Sequence, residues 1–214
     1  MPSRSKRVFF EDFVFVVDEN VYAPAEDTFL FAENLDVKVS ERVLDIGTGC
    51  GILGVIVAKK ASEVVAIDIN PYAVHCAKEN AKLNNVRSKM TFIQGDLFTP
   101  LREKAKFDVI LFNAPYLPAE EDEADSWIGH AWAGGATGRE IIGRFIPDAS
   151  KHLKPTGHIL LMQSTLAHVD KTLTTFDEYG MKASVIAEAA LPFFETITLI
   201  KATWDEITRR KGDR

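Results

Sequence analysis

Apolar positions along this chain follow two different periods. Short runs rich in β-branched residues read as strands: Arg42–Ile46, Val64–Ile69, Met90–Gln94, Phe107–Phe112 and His158–Gln163. Gly51–Lys60 is apolar on one face and reads as a helix, and Pro71–Leu83, Arg139–Leu153 and a stretch ending near Tyr179 read as helices too. Pro71 stands in the first turn of its helix, where a missing N–H costs little. Two later runs, about Lys182–Ala187 and Thr196–Ala202, have no helix between them and fit an antiparallel hairpin turning through Leu191–Glu195 at one sheet edge. Strand and helix alternating four times predict an α/β fold: a seven-stranded, mainly parallel sheet with helices on both faces. Residues 1–40 lie outside the alternation and read as a short extension, with one or two strands over Val8–Val17 and a helix beginning near Pro24, ahead of a domain spanning 41–214. Ala114–Gly138 shows no period, and segments of that length without structure of their own are usually functional.

Composition narrows the class. A chain of 214 residues with 46% hydrophobic content can bury a full core without staples. Cys50 and Cys76 are too few for a disulfide framework or a zinc site, and the five histidines show no ligand spacing, so no metal is expected and a reducing, cytoplasmic setting is the simpler reading. The basic start Ser3–Arg7 is followed by Glu11 and Asp12, which interrupt any signal-peptide core, and no apolar run reaches the length of a membrane span. A net charge of −6 counts against a nucleic-acid binder.

The first strand runs into Asp45-Ile46-Gly47-Thr48-Gly49-Cys50-Gly51 and then a helix. Glycines here permit a tight turn and close approach of a ligand to backbone, and the following helix N-terminus offers free N–H groups. A dinucleotide fingerprint needs glycine at position 52, which is Ile52, so a dehydrogenase is disfavoured. The spacing found resembles the first motif of class I methyltransferases, which implies a Rossmann-like fold and S-adenosylmethionine as cofactor. Asp68 ends the second strand, where a carboxylate can accept both ribose hydroxyls. Gln94-Gly95-Asp96-Leu97-Phe98 follows the third; by the same resemblance Asp96 receives the adenine amino group and Leu97 packs on the ring.

The fourth strand ends in Phe112-Asn113-Ala114-Pro115-Tyr116-Leu117-Pro118. This resembles the Asn-Pro-Pro-Tyr motif of methyltransferases acting on amide or exocyclic amino nitrogens, making Asn113, Pro115 and Tyr116 the catalytic candidates. A planar amide nitrogen is a poor nucleophile carrying two N–H donors. Two carbonyls, from the Asn113 side chain and the Ala114 backbone, can hold both hydrogens while Tyr116 stacks on the plane. Ala114 replaces the family proline, which frees φ and restores an N–H. Pro115 still keeps residue 114 out of helical geometry, so the turn is expected to persist and Ala114→Pro to be at least as active.

Val21-Tyr22-Ala23-Pro24-Ala25-Glu26-Asp27-Thr28-Phe29-Leu30 and the Trp132–Glu140 segment complete a resemblance, over about residues 8–202, to the short archaeal and eukaryotic HemK-like protein-glutamine methyltransferases. That resemblance implies cofactor contacts from Thr28, Asp45, Gly47, Gly49, Gly51, Asp68, Asp96, Leu97 and Asn113, and acceptor contacts from Asn113, Ala114 and Tyr116. It implies as substrate the glutamine of a Gly-Gly-Gln loop in a translation release factor, and as partner a small zinc-binding activator protein paired along a sheet edge. The acidic run Glu120–Asp125 suits a basic protein loop better than a phosphate backbone. Trp127 and Trp132 either line the cleft or anchor the loop. The remaining readings are an N6-adenine methyltransferase, which would need to flip its base, and a non-catalytic cofactor-binding subunit.

Overall fold

The computed structural model describes residues 5–119 and 126–206; the acidic run Glu120–Asp125 and the basic stretch Arg209–Lys211 lie outside the described residues. Seven strands form one sheet: β3 (Arg42–Ile46), β4 (Glu63–Asp68), β5 (Met90–Gln94), β6 (Phe107–Asn113), β7 (Leu153–Ser164), β8 (Met181–Ala190) and β9 (Thr196–Trp204). Their order is β5-β4-β3-β6-β7-β9-β8. The first five run parallel and β9 lies antiparallel to both β7 and β8, so the late hairpin forms one edge as the hydrophobic pattern predicts. The central strands read as continuous apolar runs because both their faces are covered. On one face, Val43, Val109, Leu111 and Leu160 pack with helices α1 (Glu26–Glu33), α2 (Ile52–Ala58) and α3 (Pro71–Leu83). On the other, Leu44, Ile110, Ile159 and Leu161 pack with α5 (Glu140–His152) and α6 (Val169–Glu178).

The parallel strands end in register, with Ile46 beside Ile67 and Phe112, and Asn113 beside Met162. From β3 the chain winds first toward β4 and β5, then crosses back to β6. The carboxyl ends of β3 and β6 therefore flank the switch point where ligands bind in open α/β sheets.

Residues before β3 build a separate hairpin of β1 (Lys6–Phe10) and β2 (Phe13–Val17). Among the described residues no further strand pairs with the free side of β2. Instead the backbone of Val16 exchanges hydrogen bonds with the Asn80 side chain at 2.8 and 2.9 Å, and that of Val14 with Asn84 at 3.1 and 2.8 Å. Two asparagines four residues apart, Asn80 in α3 and Asn84 at its C-cap, thus answer a strand edge as a neighbouring strand would.

Elsewhere the boundaries move for local reasons. Strand β7 begins at Leu153, paired with Phe107, but Lys154–Gly157 bulge out and regular pairing starts at His158 opposite Val109. Among its described residues, the aperiodic stretch after β6 contains a short helix, α4 (Trp127–Trp132), capped by the Ser126 side chain, which accepts from Gly129 N at 3.0 Å. Among the described residues no helix is long and apolar enough to cross a membrane.

Candidate active site

A cavity of about 1400 Å³ opens at the carboxyl ends of β3, β4 and β6. It exceeds the roughly 300–1,000 Å³ of a single small-molecule pocket, leaving room for a cofactor and a second reacting group. Of the residues selected from sequence, Thr28, Gly47, Gly49, Asp68, Asp96, Leu97, Asn113, Ala114, Pro115 and Tyr116 line it. Asp45 and Gly51 do not: they sit behind the wall and hold its shape.

At the glycine-loop end, Gly47, Gly49 and Gly51 all have positive φ, at 63, 56 and 86°. Gly51 also abuts α3, where an added Cβ would lie 2.8 Å from the Ala77 Cβ. The buried Asp45 carboxylate accepts from the Thr48 hydroxyl at 2.6 Å and from Gly54 N at 3.1 Å, tying loop to helix. Burial pushes its pKa up to about 7, partly offset by those two donors. Asp68 accepts from Gly49 N at 2.8 Å and Asn70 N at 2.9 Å; burial raises its pKa while these backbone N–H groups oppose the shift. Each of its oxygens retains acceptor capacity toward the cavity. Asp96, expected to meet an adenine amino group, is paired with Arg144 of α5, which lines the same wall. Cys50 lies buried in the loop, and burial pushes its thiol up, away from reactivity.

The other end is built around Asn113. Its Nδ2 donates to Asp27 Oδ2 at 3.1 Å and to Thr28 Oγ1 at 3.2 Å. Its Oδ1 is buried and has no partner. Ala114 N donates to Met162 O at 3.3 Å, so the N–H gained by losing the family proline is used. The Tyr116 hydroxyl lies 3.5 Å from Asp27 Oδ2; burial first, then the Asp27 charge, holds this phenol in its neutral form. Burial and the same charge do likewise for Tyr22. Tyr116 is held by the chain that follows it. Leu117 and Ala119 donate to Trp132 O and Gly135 O at 3.0 and 3.1 Å, and Gly134 N donates back to Leu117 O at 2.8 Å. Gly138, at φ 71°, packs so closely that a Cβ would run into the Tyr116 carbonyl. The Trp132–Glu140 segment is thereby a clamp on the turn, and Trp127 and Trp132 both face the cavity.

Sequence reasoning passed over Asp27, Tyr22, Arg144 and Asn80. The signal for Asp27 was present, but an acid in the first turn of a helix has a sufficient local explanation. Only the fold brings it to Asn113.

Residues 13–185 match the model of the methyltransferase small domain family. A Methanocaldococcus jannaschii protein named as a protein N5-glutamine methyltransferase is 46% identical over 84% of this chain and 90% of its own length. The human methyltransferase HEMK2 is 31% identical over 86% of this chain and 90% of its own. Among solved structures, the E. cuniculi Mtq2-Trm112 complex, described as responsible for the methylation of the eRF1 translation termination factor, matches with TM-score 0.65 and 26% identity, over 87% of this chain and 99% of that one. The chain belongs to the methyltransferase small domain family and, within it, to the HemK-like protein-glutamine methyltransferases.

Proposed function

We propose that this enzyme methylates the side-chain amide nitrogen of a glutamine, in the Gly-Gly-Gln loop of a translation release factor, with S-adenosylmethionine as donor. The observation that carries the reading is Asn113, which lines the cavity and whose buried side-chain carbonyl Oδ1 has no hydrogen-bond partner. A buried acceptor left unpaired costs about 1–3 kcal/mol, and an incoming N–H removes that cost. The names of the relatives support the same acceptor.

The cofactor fits the residues present. The glycine loop allows close approach to backbone, Asp68 and Asp96 offer carboxylates for ribose and adenine, Leu97 an apolar face, and Thr28 a hydroxyl near Asn113. When bound, S-adenosylmethionine supplies a methyl group on sulfonium sulfur. Asn113 Oδ1 and the Ala114 carbonyl hold the two amide hydrogens, and Tyr116 covers the amide plane. Pro115 keeps the turn extended. The methyl would pass from the sulfonium to the held nitrogen, the cofactor leaving as its thioether, and the amide proton that is lost would pass to solvent. The acceptors strengthen as positive character builds on nitrogen.

A small zinc-binding activator is the partner we favour, and the cytoplasm, where release factors act, is the proposed setting. Strands β5 and β8 are the two edges of the sheet and the candidate seats for such a partner.

Single-turnover methylation of a release-factor fragment, with and without the activator, tests the reading. Label should enter a Gly-Gly-Gln fragment, and neither its Gly-Gly-Ala variant nor an adenine-containing oligonucleotide. Equal labelling of both fragments removes glutamine as the acceptor; label in the oligonucleotide alone restores the adenine reading; cofactor binding with no transfer to either supports a non-catalytic subunit.

A further inference from the structure

Asp27 makes none of the ion pairs formed among the described residues, although it is buried and lines the reaction cavity. Its carboxylate is instead surrounded by donors. Oδ1 accepts from Thr28 N at 2.6 Å and from the Thr28 hydroxyl at 3.1 Å; Oδ2 accepts from Asn113 Nδ2 at 3.1 Å and lies 3.5 Å from the Tyr116 hydroxyl.

These contacts have a direction that an uncharged residue would not impose. An ionised carboxylate accepts and never donates. The Thr28 proton, once given to Asp27, leaves the threonine oxygen free to accept, and it takes the second contact from Asn113 Nδ2 at 3.2 Å. Both acceptors around the Asn113 amide therefore demand its NH2 group. The carbonyl end is left facing away from them, and it is the atom without a partner. Turned over, the same amide would set its oxygen against a carboxylate and offer N–H groups to an incoming amide N–H, which is repulsive at both ends.

We infer that Asp27 is a positioning residue which, directly and through the Thr28 hydroxyl, locks the Asn113 side-chain amide with its carbonyl presented to the acceptor nitrogen. The inference rests on the glutamine reading above for the identity of that nitrogen, but the orientation of Asn113 is a property of the protein alone. It also gives a chemical reason for carrying a buried charge at this spot: no neutral side chain of the same size is restricted to accepting.

Asp27→Asn is nearly isosteric and brings an NH2 group of its own, which competes for the Thr28 oxygen and the Asn113 amide. With the complete chain and the Gly-Gly-Gln fragment, D27N should lower the single-turnover rate about tenfold or more and leave cofactor affinity within a few-fold. In an Asn113→Ala background, where there is no amide to orient, D27N should have almost no further effect on rate. Multiplication of the two single effects in the double variant, or a wild-type rate in D27N, overturns the inference.

A second measurement needs neither substrate nor a D27N chain that folds. In nitrogen-edited NMR of the wild-type protein, the Asn113 side-chain NH2 pair, assigned by its loss in Asn113→Ala, should be shifted downfield and slow to exchange with water. A pair with free-amide shifts and fast exchange overturns the orientation. Should the wild type label no glutamine fragment while this pair is locked, the substrate reading fails and the role of Asp27 stands; should labelling be robust and the pair free, the reverse holds.

Discussion

The two ends of the cavity are built on opposite rules. Around the glycine loop the polar groups are answered from within the chain: Asp45 by Thr48 and Gly54, Asp68 by Gly49 and Asn70, and Thr48 N by Ile67 O at 3.1 Å. Around the acceptor turn one carbonyl, Asn113 Oδ1, is buried without a partner. The first arrangement fixes a shape before any ligand arrives. The second keeps an interaction in reserve for the ligand, at a standing cost to the folded protein. Substitutions at the first end should therefore read out in stability, and at the second in rate.

The largest effect expected at the loop end is a pH effect. The folded pKa of Asp45, about 7, lies above its ordinary value of 3.8, because ionising it costs desolvation. The folded state accordingly holds a proton that the unfolded state has lost between these values. Stability from this group is fully present below about pH 4 and is lost as pH rises through 7, a difference of up to about 4 kcal/mol. Asp68 is shifted the same way, and His158, lowered by burial, the opposite way, so the informative quantity is the difference between wild type and Asp45→Asn. The urea midpoint of the wild type should fall more between pH 5 and 8 than that of the variant. Parallel curves would show that Asp45 is ionised in the folded protein throughout.

At the acceptor end, Asn113→Ala removes the reserved carbonyl. The methylation rate should drop about 10²–10³-fold, by analogy with the loss of one preorganised hydrogen-bonding group. The thermal midpoint should scarcely fall, because an unpaired group is lost along with two bonds. A large loss of stability with little loss of rate would reverse the comparison between the two ends.

How much of this was legible in the sequence differs between the ends in the same way. The glycine loop could be read because its constraints are local: a strand, three left-handed positions and a helix start lie within ten residues. Asn113 and Tyr116 could be read as residue types suited to an amide. The partners that orient them could not, since Asp27 lies 86 residues from Asn113 and already had a local role at a helix start. The Asn80 and Asn84 ladder under β2 was hidden for a similar reason: polar residues on a helix read as a solvated face until a strand edge is brought to them. The short α4 was missed because six residues are too few to show a period.

A smaller effect concerns position 114. From sequence, restoring the family proline should leave activity equal or higher. The structure adds a cost in stability to that expectation, because Ala114 N donates to Met162 O and proline has no N–H to give. Ala114→Pro should lower stability by about 1 kcal/mol, which for a chain of this size is a fall of roughly 2–4 °C in thermal midpoint. The rate at saturating cofactor should stay near wild type, since the Ala114 carbonyl survives. A higher thermal midpoint in the variant would mean that the fixed φ outweighs the lost bond.

The smallest effect belongs to the Tyr116 hydroxyl, and it separates ring from hydroxyl in the same side chain. The contact with Asp27, at 3.5 Å, is longer than the roughly 2.5–3.0 Å of a good O–H···O bond. Burial and the neighbouring charge keep the phenol neutral, so it holds no proton in play near neutral pH. The ring, in contrast, packs against both core clusters and walls the cavity. Tyr116→Phe should therefore change the single-turnover rate by less than about threefold, under 1 kcal/mol. Tyr116→Ala removes the stacking face as well as packing and should cost at least tenfold more. If Phe and Ala prove equally slow, the hydroxyl is the working part: the Asp27 contact would have to shorten when the acceptor binds, and Tyr116 would join Thr28 as a second group through which that carboxylate orders the site.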